Sequence, residues 1–161
     1  MKKSIYIETT IPSSYYDIRP EAEAVARRQW TRAWWDFERA DYEVVTGVGV
    51  IHELQRGSHP YQAEKLALVA KLKILPISKE IVEIVAVYIN NKVMPAEPTG
   101  DALHLATASY QKIDILLTWN CKHIANAKKL DHIKRINATL GLTTPLLITP
   151  LNLIGEYQHV H

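Results

Sequence analysis

Four oxygen-bearing side chains stand where an apolar segment ends or a helix begins. They are Glu8 in Ile5-Tyr6-Ile7-Glu8-Thr9-Thr10, Glu53 in Val50-Ile51-His52-Glu53-Leu54, Asp101 in Thr99-Gly100-Asp101-Ala102-Leu103-His104, and Asn120 in Leu116-Leu117-Thr118-Trp119-Asn120. Carboxylates and amide carbonyls are the ligands that hard divalent cations prefer. Several carboxylates gathered at one point repel one another and need such a cation to be tolerated. The question is whether the fold brings these four together.

Each of them also has a plain structural explanation. Asp101 in a first helical turn complements the helix dipole, and Asn120 after a strand suits a turn. Glu53 can be a solvated helix charge, although Val50, Ile51 and Leu54 give it little polar company. Glu8 is the hardest to explain away, because an acid is a poor strand residue and this one closes an apolar strand.

The elements that must position them alternate along the chain. Apolar runs predict strands over 4–7, 42–46, 74–77, 113–118 and 145–149, the fourth interrupted by Asp114. Three- and four-residue periodicity predicts helices over 20–40, 47–56 (closed by Gly57), 60–72, 78–90 (capped by Ser78), from Thr99 to about Tyr110, and 126–140. Thr9 to Ser14, with Pro12, suits the opening of one more helix, and Pro95 to Pro98 reads as a stiff linker. Such alternation is the mark of an α/β fold, a mostly parallel sheet flanked by helices on both faces. In a right-handed β-α-β arrangement the ends of the first and fourth strands point to one edge, where an open sheet binds its ligands.

Composition narrows the class. At 161 residues, 47% apolar and 22% charged, one domain over 1–150 with a C-terminal tail over 151–161 is expected. A net charge of +2 is too small for a protein that grips duplex nucleic acid over its whole surface. One cysteine, Cys121, excludes an internal disulfide and any multi-cysteine metal site. The apolar run after Lys2-Lys3 stops at Glu8, too short for a signal peptide, and no stretch is long enough to span a membrane, so a cytoplasmic location is expected. Trp30, Trp34 and Trp35 read as packing residues of the 20–40 helix, which otherwise offers a dimer face or a groove for a partner peptide. No Gly-rich phosphate loop is present.

The segments around Glu8, Glu53, Asp101 and Asn120 resemble, in order and spacing, the four acidic motifs of PIN-domain nucleases, which include the VapC-type toxins of prokaryotic toxin–antitoxin pairs. Gly100-Asp101-Ala102-Leu103-His104-Leu105-Ala106 carries the resemblance most specifically. It implies a PIN-like three-layer sandwich and a Mg²⁺- or Mn²⁺-dependent endoribonuclease, with an antitoxin protein as partner and a homodimer as its assembly. Glu8 and Asp101 would contact the metal, Glu53 would hold a metal-bound water or act as base, and Asn120 would position water or phosphate. Thr9, Thr118 and His104 would support them by hydrogen bonds. Arg56 and Lys122, with Arg19 and His123, would reach substrate phosphates, and Trp119 would pack in the core or stack on a base. The chain departs from the family pattern by Glu8 and Asn120, each where Asp is usual. The alternative is therefore a PIN-like domain that binds RNA or protein without cutting.

Overall fold

In a computed structural model, which describes residues 1–97 and 99–158, five strands form one sheet in the order β3-β2-β1-β4-β5, every neighbouring pair parallel. The strands are β1 (Ser4–Ile7), β2 (Glu43–Gly47), β3 (Lys73–Leu75), β4 (Ile115–Leu117) and β5 (Leu146–Ile148). In central β1, Ile5, Tyr6 and Ile7 are all fully buried, as a parallel strand covered on both faces requires. Successive crossovers from β1 to β3 run one way along the sheet, and the chain then returns to place β4 on the other side of β1. Right-handed connections in opposite directions set their helices on opposite faces, giving a PIN-like α/β sandwich. Strand order reverses between β1 and β4, and this switch point is where the sheet opens a crevice.

The helices are α1 (Thr10–Tyr15), α2 (Ala22–Phe37), α3 (Val48–Gln55), α4 (Gln62–Ala70), α5 (Lys79–Asn90), α6 (Gly100–Tyr110), α7 (Ala127–Thr139) and α8 (Pro150–Gln158). Ser78 caps α5 by accepting from the Ile81 N–H, and Gly57 follows α3 with φ +67, both as the sequence implies. β1 matches its apolar run and β2 is shifted by one residue, whereas β3, β4 and β5 are shorter than theirs. Asp114 does not pair as strand but clamps the start of β1, accepting from the Ser4 N–H at 2.9 Å while its own N–H donates to Ser4 Oγ. Pro76 follows β3 and has no N–H to extend a ladder. The 20–40 helix is trimmed at both ends, its last turn becoming a 3-10 turn at Arg39–Asp41.

The segment expected as a tail begins as a helix. In α8, which packs against α2, Ile154 is buried in the core. Pro98, in the expected linker, and the terminal residues 159–161 lie outside the described residues. On α2, Trp34 and Trp35 are buried, in keeping with a packing role, and the helix meets α1 and α8 of its own chain. No helix among the described residues is long and apolar enough to cross a membrane.

Candidate functional site

Register decides where the first acid points. Ile7 of β1 pairs with Leu117 of β4, and the Glu8 N–H then donates to the Leu117 carbonyl at 3.2 Å. This puts Glu8 beside Thr118 at the carboxyl edge, its residue only 3% exposed. Glu8 Oε1 accepts from the Thr118 hydroxyl at 2.7 Å, from the Thr10 N–H at 2.9 Å, and from the Thr10 hydroxyl. Those hydroxyls in turn accept from the N–H groups of Trp119 and Asn120. The turn after β4 is thus aimed at Glu8 through two threonines. Burial pushes the Glu8 carboxyl up, opposed by the nearby His104 charge and by the threonine hydrogen bonds.

Asp101 lies in the first turn of α6 and is 8% exposed. Its Oδ1 accepts from Asn120 Nδ2 at 2.9 Å, and Asn120 Oδ1 accepts from the His123 N–H at 3.0 Å. Asn120 is therefore a positioned link between the β4 turn and α6. Burial raises the Asp101 pKa, with His123 and His104 pulling against it and Glu53 adding to it.

Glu53 reaches the group from α3. Its Oε1 accepts from the Thr9 hydroxyl at 2.8 Å and from His104 Nε2. A Cβ on Gly100 would sit 2.9 Å from Glu53 Oε2, so only glycine there lets the carboxylate lie against the opening of α6. The positive end of that helix favours the charge. Although burial alone would raise it, the His104 hydrogen bond and charge, the Thr9 bond and the Arg56 charge bring the Glu53 pKa below its usual value.

His104, one turn after Asp101, is 1% exposed and bonded at both ring nitrogens. Opposite Glu53, its Nδ1 meets the Tyr6 hydroxyl at 2.7 Å. That hydroxyl can donate to a neutral ring or accept from a charged one. Burial works against charging the imidazole, but Glu53, Glu8 and Asp101 outweigh it and its pKa rises. Gly47 at the end of β2 makes room for Tyr6, since a Cβ there would lie 2.6 Å from the phenol oxygen.

The four expected residues are thus linked at the carboxyl edge of the sheet: Asn120 bonds Asp101 directly and reaches Glu8 through Thr118, and His104 bonds Glu53 and acts on Glu8 and Asp101 by its charge. Thr118 supports Glu8, whereas Thr9 supports Glu53 and not its neighbour Glu8. Arg56 is exposed with its charge felt at Glu53, Lys122 is exposed, and Arg19 is paired with Asp17 at 2.7 Å. Trp119 is buried, donating to Thr31 Oγ1 at 2.8 Å with Arg27 over its ring, which is a packing role. Two contributors escaped sequence reasoning. Thr10 was visible only as half of a Thr-Thr pair, and Tyr6 looked like one more core aromatic.

The donor set suits a hard divalent cation: three carboxylates and an amide, two of the acids raised in pKa by burial as anions lacking compensation are. Hydrogen bonds to Glu8 and Glu53 all fall on Oε1 and that to Asp101 on Oδ1, so Oε2 and Oδ2 are the atoms a cation would use. Among the described residues no three His, Cys, Asp or Glu side chains are already gathered around one point. Cation binding would therefore require these side chains to draw together.

No model of a known protein family matches the sequence, and no curated protein matches it. Solved structures do match the fold. A toxin–antitoxin complex from Klebsiella pneumoniae aligns at TM-score 0.56 and 18% identity, over 78% of this chain and 93% of that one. VapC20 of Mycobacterium tuberculosis, a Sarcin-Ricin loop cleaving toxin, aligns at 0.58 and 13%, over 74% and 92%. VapBC2 from Rickettsia felis, bound to a DNA fragment from its promoter, aligns at 0.53 and 17%, over 91% and 96%. The chain has the fold of VapC-type PIN-domain toxins.

Proposed function

We propose that this chain is a Mg²⁺- or Mn²⁺-dependent endoribonuclease and the toxin of a toxin–antitoxin pair, acting in the cytoplasm as a homodimer held in check by its antitoxin. The observation that carries the reading is the meeting of Glu8, Glu53, Asp101 and Asn120 at the switch point of a fold shared with VapC20, a toxin that cleaves the Sarcin-Ricin loop. The antitoxin follows from two neighbours that are toxin–antitoxin assemblies.

A bound divalent cation supplies an ionised water at neutral pH and offsets charge on the scissile phosphate. Glu8 and Asp101 would hold it through Oε2 and Oδ2. Glu53, kept ionised by His104 and Thr9, would hold the attacking water by accepting its hydrogen bond or act as its base. Asn120 Nδ2 has a second hydrogen beyond the one given to Asp101, which would be available to a phosphate oxygen. Arg56 and Lys122 add positive charge along the strand.

A second reading is favoured by the same hydrogen bonds: threonines already hold Glu8, His104 and Thr9 hold Glu53, and Asn120 holds Asp101, so the domain would bind RNA or a protein without cutting. Purified protein incubated with single-stranded RNA and Mg²⁺ or Mn²⁺ separates the two. Cleavage that EDTA abolishes, and that falls by about 100-fold or more in Asp101→Asn and Glu8→Gln, is the expected outcome. RNA bound but left intact with either metal would establish the second reading.

A further inference from the structure

Outside the acidic crevice, α1 and α4 carry an aromatic pair that the proposed chemistry does not use. Tyr16, just after α1, and Tyr61, just before α4, stack with ring centroids 5.8 Å apart and planes 17° from parallel. Tyr61 is 44% exposed and holds a left-handed backbone, φ 59, a conformation that a bulky side chain adopts only when its surroundings impose it. Such strain gathers at places where a side chain must be held in position.

What imposes it is the tether to the crevice. The Leu54 carbonyl, one residue after Glu53, accepts from His59 Nε2 at 3.0 Å and from Gln62 Nε2 at 2.9 Å, pinning both sides of Tyr61 to the end of α3. On the other arm, Thr9 bonds Glu53 and leads into α1, whose six residues rise ~9 Å toward Tyr16. Both tyrosines are thus fixed relative to Glu53.

Tyr16 also borders a groove of about 260 Å³ shared with Tyr15, Trp35, Arg39, Lys71 and Glu64. Its two exposed cations outnumber its one acid. Arg39 covers the Trp35 ring at 4.4 Å, Arg32 covers that of Tyr15 at 5.0 Å, and Tyr15 in turn meets Tyr16 edge-on at 4.9 Å, which leaves exposed Tyr61, backed by Tyr16, as the platform. Aromatic faces flanked by cations are how proteins hold single-stranded nucleic acid without reading its sequence.

We propose that the Tyr16–Tyr61 pair and the adjoining groove form a base-stacking subsite that holds an unpaired base of the RNA strand whose backbone enters the acidic crevice. This rests on the nuclease reading for its substrate, and it makes that substrate single-stranded at this point. A base carries both the ring that would extend the Tyr16–Tyr61 stack and the phosphate that Arg39 and Lys71 of the groove would attract, whereas a protein segment offering only charge would leave the exposed Tyr61 ring unused.

The test compares wild type, Tyr61→Ala, Tyr61→Phe and Tyr16→Ala, each checked for folding by circular dichroism. Affinities are measured in EDTA for a short single-stranded RNA and for an abasic ribose-phosphate chain of equal length. Wild type should prefer the base-bearing strand by about 10-fold or more, Tyr61→Phe should keep that preference, and both alanine variants should lose it while holding the abasic chain unchanged. Base-bearing RNA bound equally by wild type and folded Tyr61→Ala overturns the subsite, even if the protein cleaves RNA. Tyr61-dependent RNA binding without metal-dependent cleavage keeps the subsite and removes the nuclease reading. Wild type that neither binds nor cuts RNA removes both. Tyr61→Ala that loses affinity only for a protein partner assigns the pair to a protein interface and overturns the proposal.

Discussion

His104 on α6 donates from Nε2 to Glu53 on α3, so a buried imidazole holds one acid of the crevice in place while its other nitrogen rests on Tyr6. This joins the two helices that bring acids from opposite sides of the switch point. Although burial opposes it, the acids around it raise the imidazole's pKa, so the three carboxylates favour its charged form.

Removing that imidazole should be costly. His104→Ala removes the Tyr6 hydroxyl's partner and one of the two donors to half-buried Glu53, and a buried polar group left unpaired costs about 1–3 kcal/mol. Thermal melts should show Tm lower by roughly 2–12 °C. Combining it with Glu53→Gln should cost less than the sum of the single changes, because both variants remove the same bond. Strict additivity would show that the two residues are not coupled.

Asn120→Asp restores a fourth acid and tests the charge balance directly. Without metal, the lost Nδ2 donor and a second carboxylate beside Asp101 should lower stability by about 1–2 kcal/mol. With Mn²⁺ present the variant should regain stability more steeply than wild type, since binding to the folded state alone stabilises by mass action. Equal Mn²⁺ responses in melting scans would show that position 120 does not face the cation.

Gly100→Ala separates stability from activity. Its Cβ would fall 2.9 Å from Glu53 Oε2, the tip of a flexible side chain that can swing away. The fold should survive with Tm changed by no more than about 3 °C, while cleavage falls by about 10-fold or more as Glu53 leaves its place. Unaltered turnover would show that this placement of Glu53 does not serve the reaction.

The pH profile of the metal-free protein follows from four groups. Glu8, Asp101 and His104 have raised pKa values in the fold, so their contributions are fully present below their unfolded values of 4.5, 3.8 and 6.5 and fade as pH rises through the folded ones. Glu53 is shifted down, so its contribution is present above 4.5 and is lost as pH falls through its depressed value. Stability should be highest on the acidic side of neutrality and decline as pH rises through the raised folded values, with divalent cation reducing the decline. Melts that improve steadily from pH 6 to pH 9 without metal would contradict this arrangement.

Much of the crevice was legible in the sequence. An acid closing an apolar strand has few structural explanations, and strands alternating with helices leave a parallel sheet as the natural arrangement, so Glu8 and Asn120 had to emerge at one edge. Glycine before Asp101 announced a close approach, and Glu53 is what approaches. Partners were not legible, because local sequence carries no record of which side chain lies opposite. Thr9 and Thr10 are adjacent, yet one serves Glu53 and the other Glu8. The segment after Thr149 offered too little periodicity to separate a tail from a helix, and its burial against α2 decided the matter.

By itself, then, the sequence determined the order of elements, the oxygen chemistry of the crevice and the strand ends that carry it, because apolar periodicity and turn chemistry act over a few residues. Only the tertiary structure decided that His104 lies between Glu53 and Tyr6, that Tyr6 fits through a space left by Gly47, and that Tyr16 meets Tyr61. Each of these joins residues about 40 or more positions apart in the chain, and their meeting depends on sheet register and helix packing that no local pattern encodes.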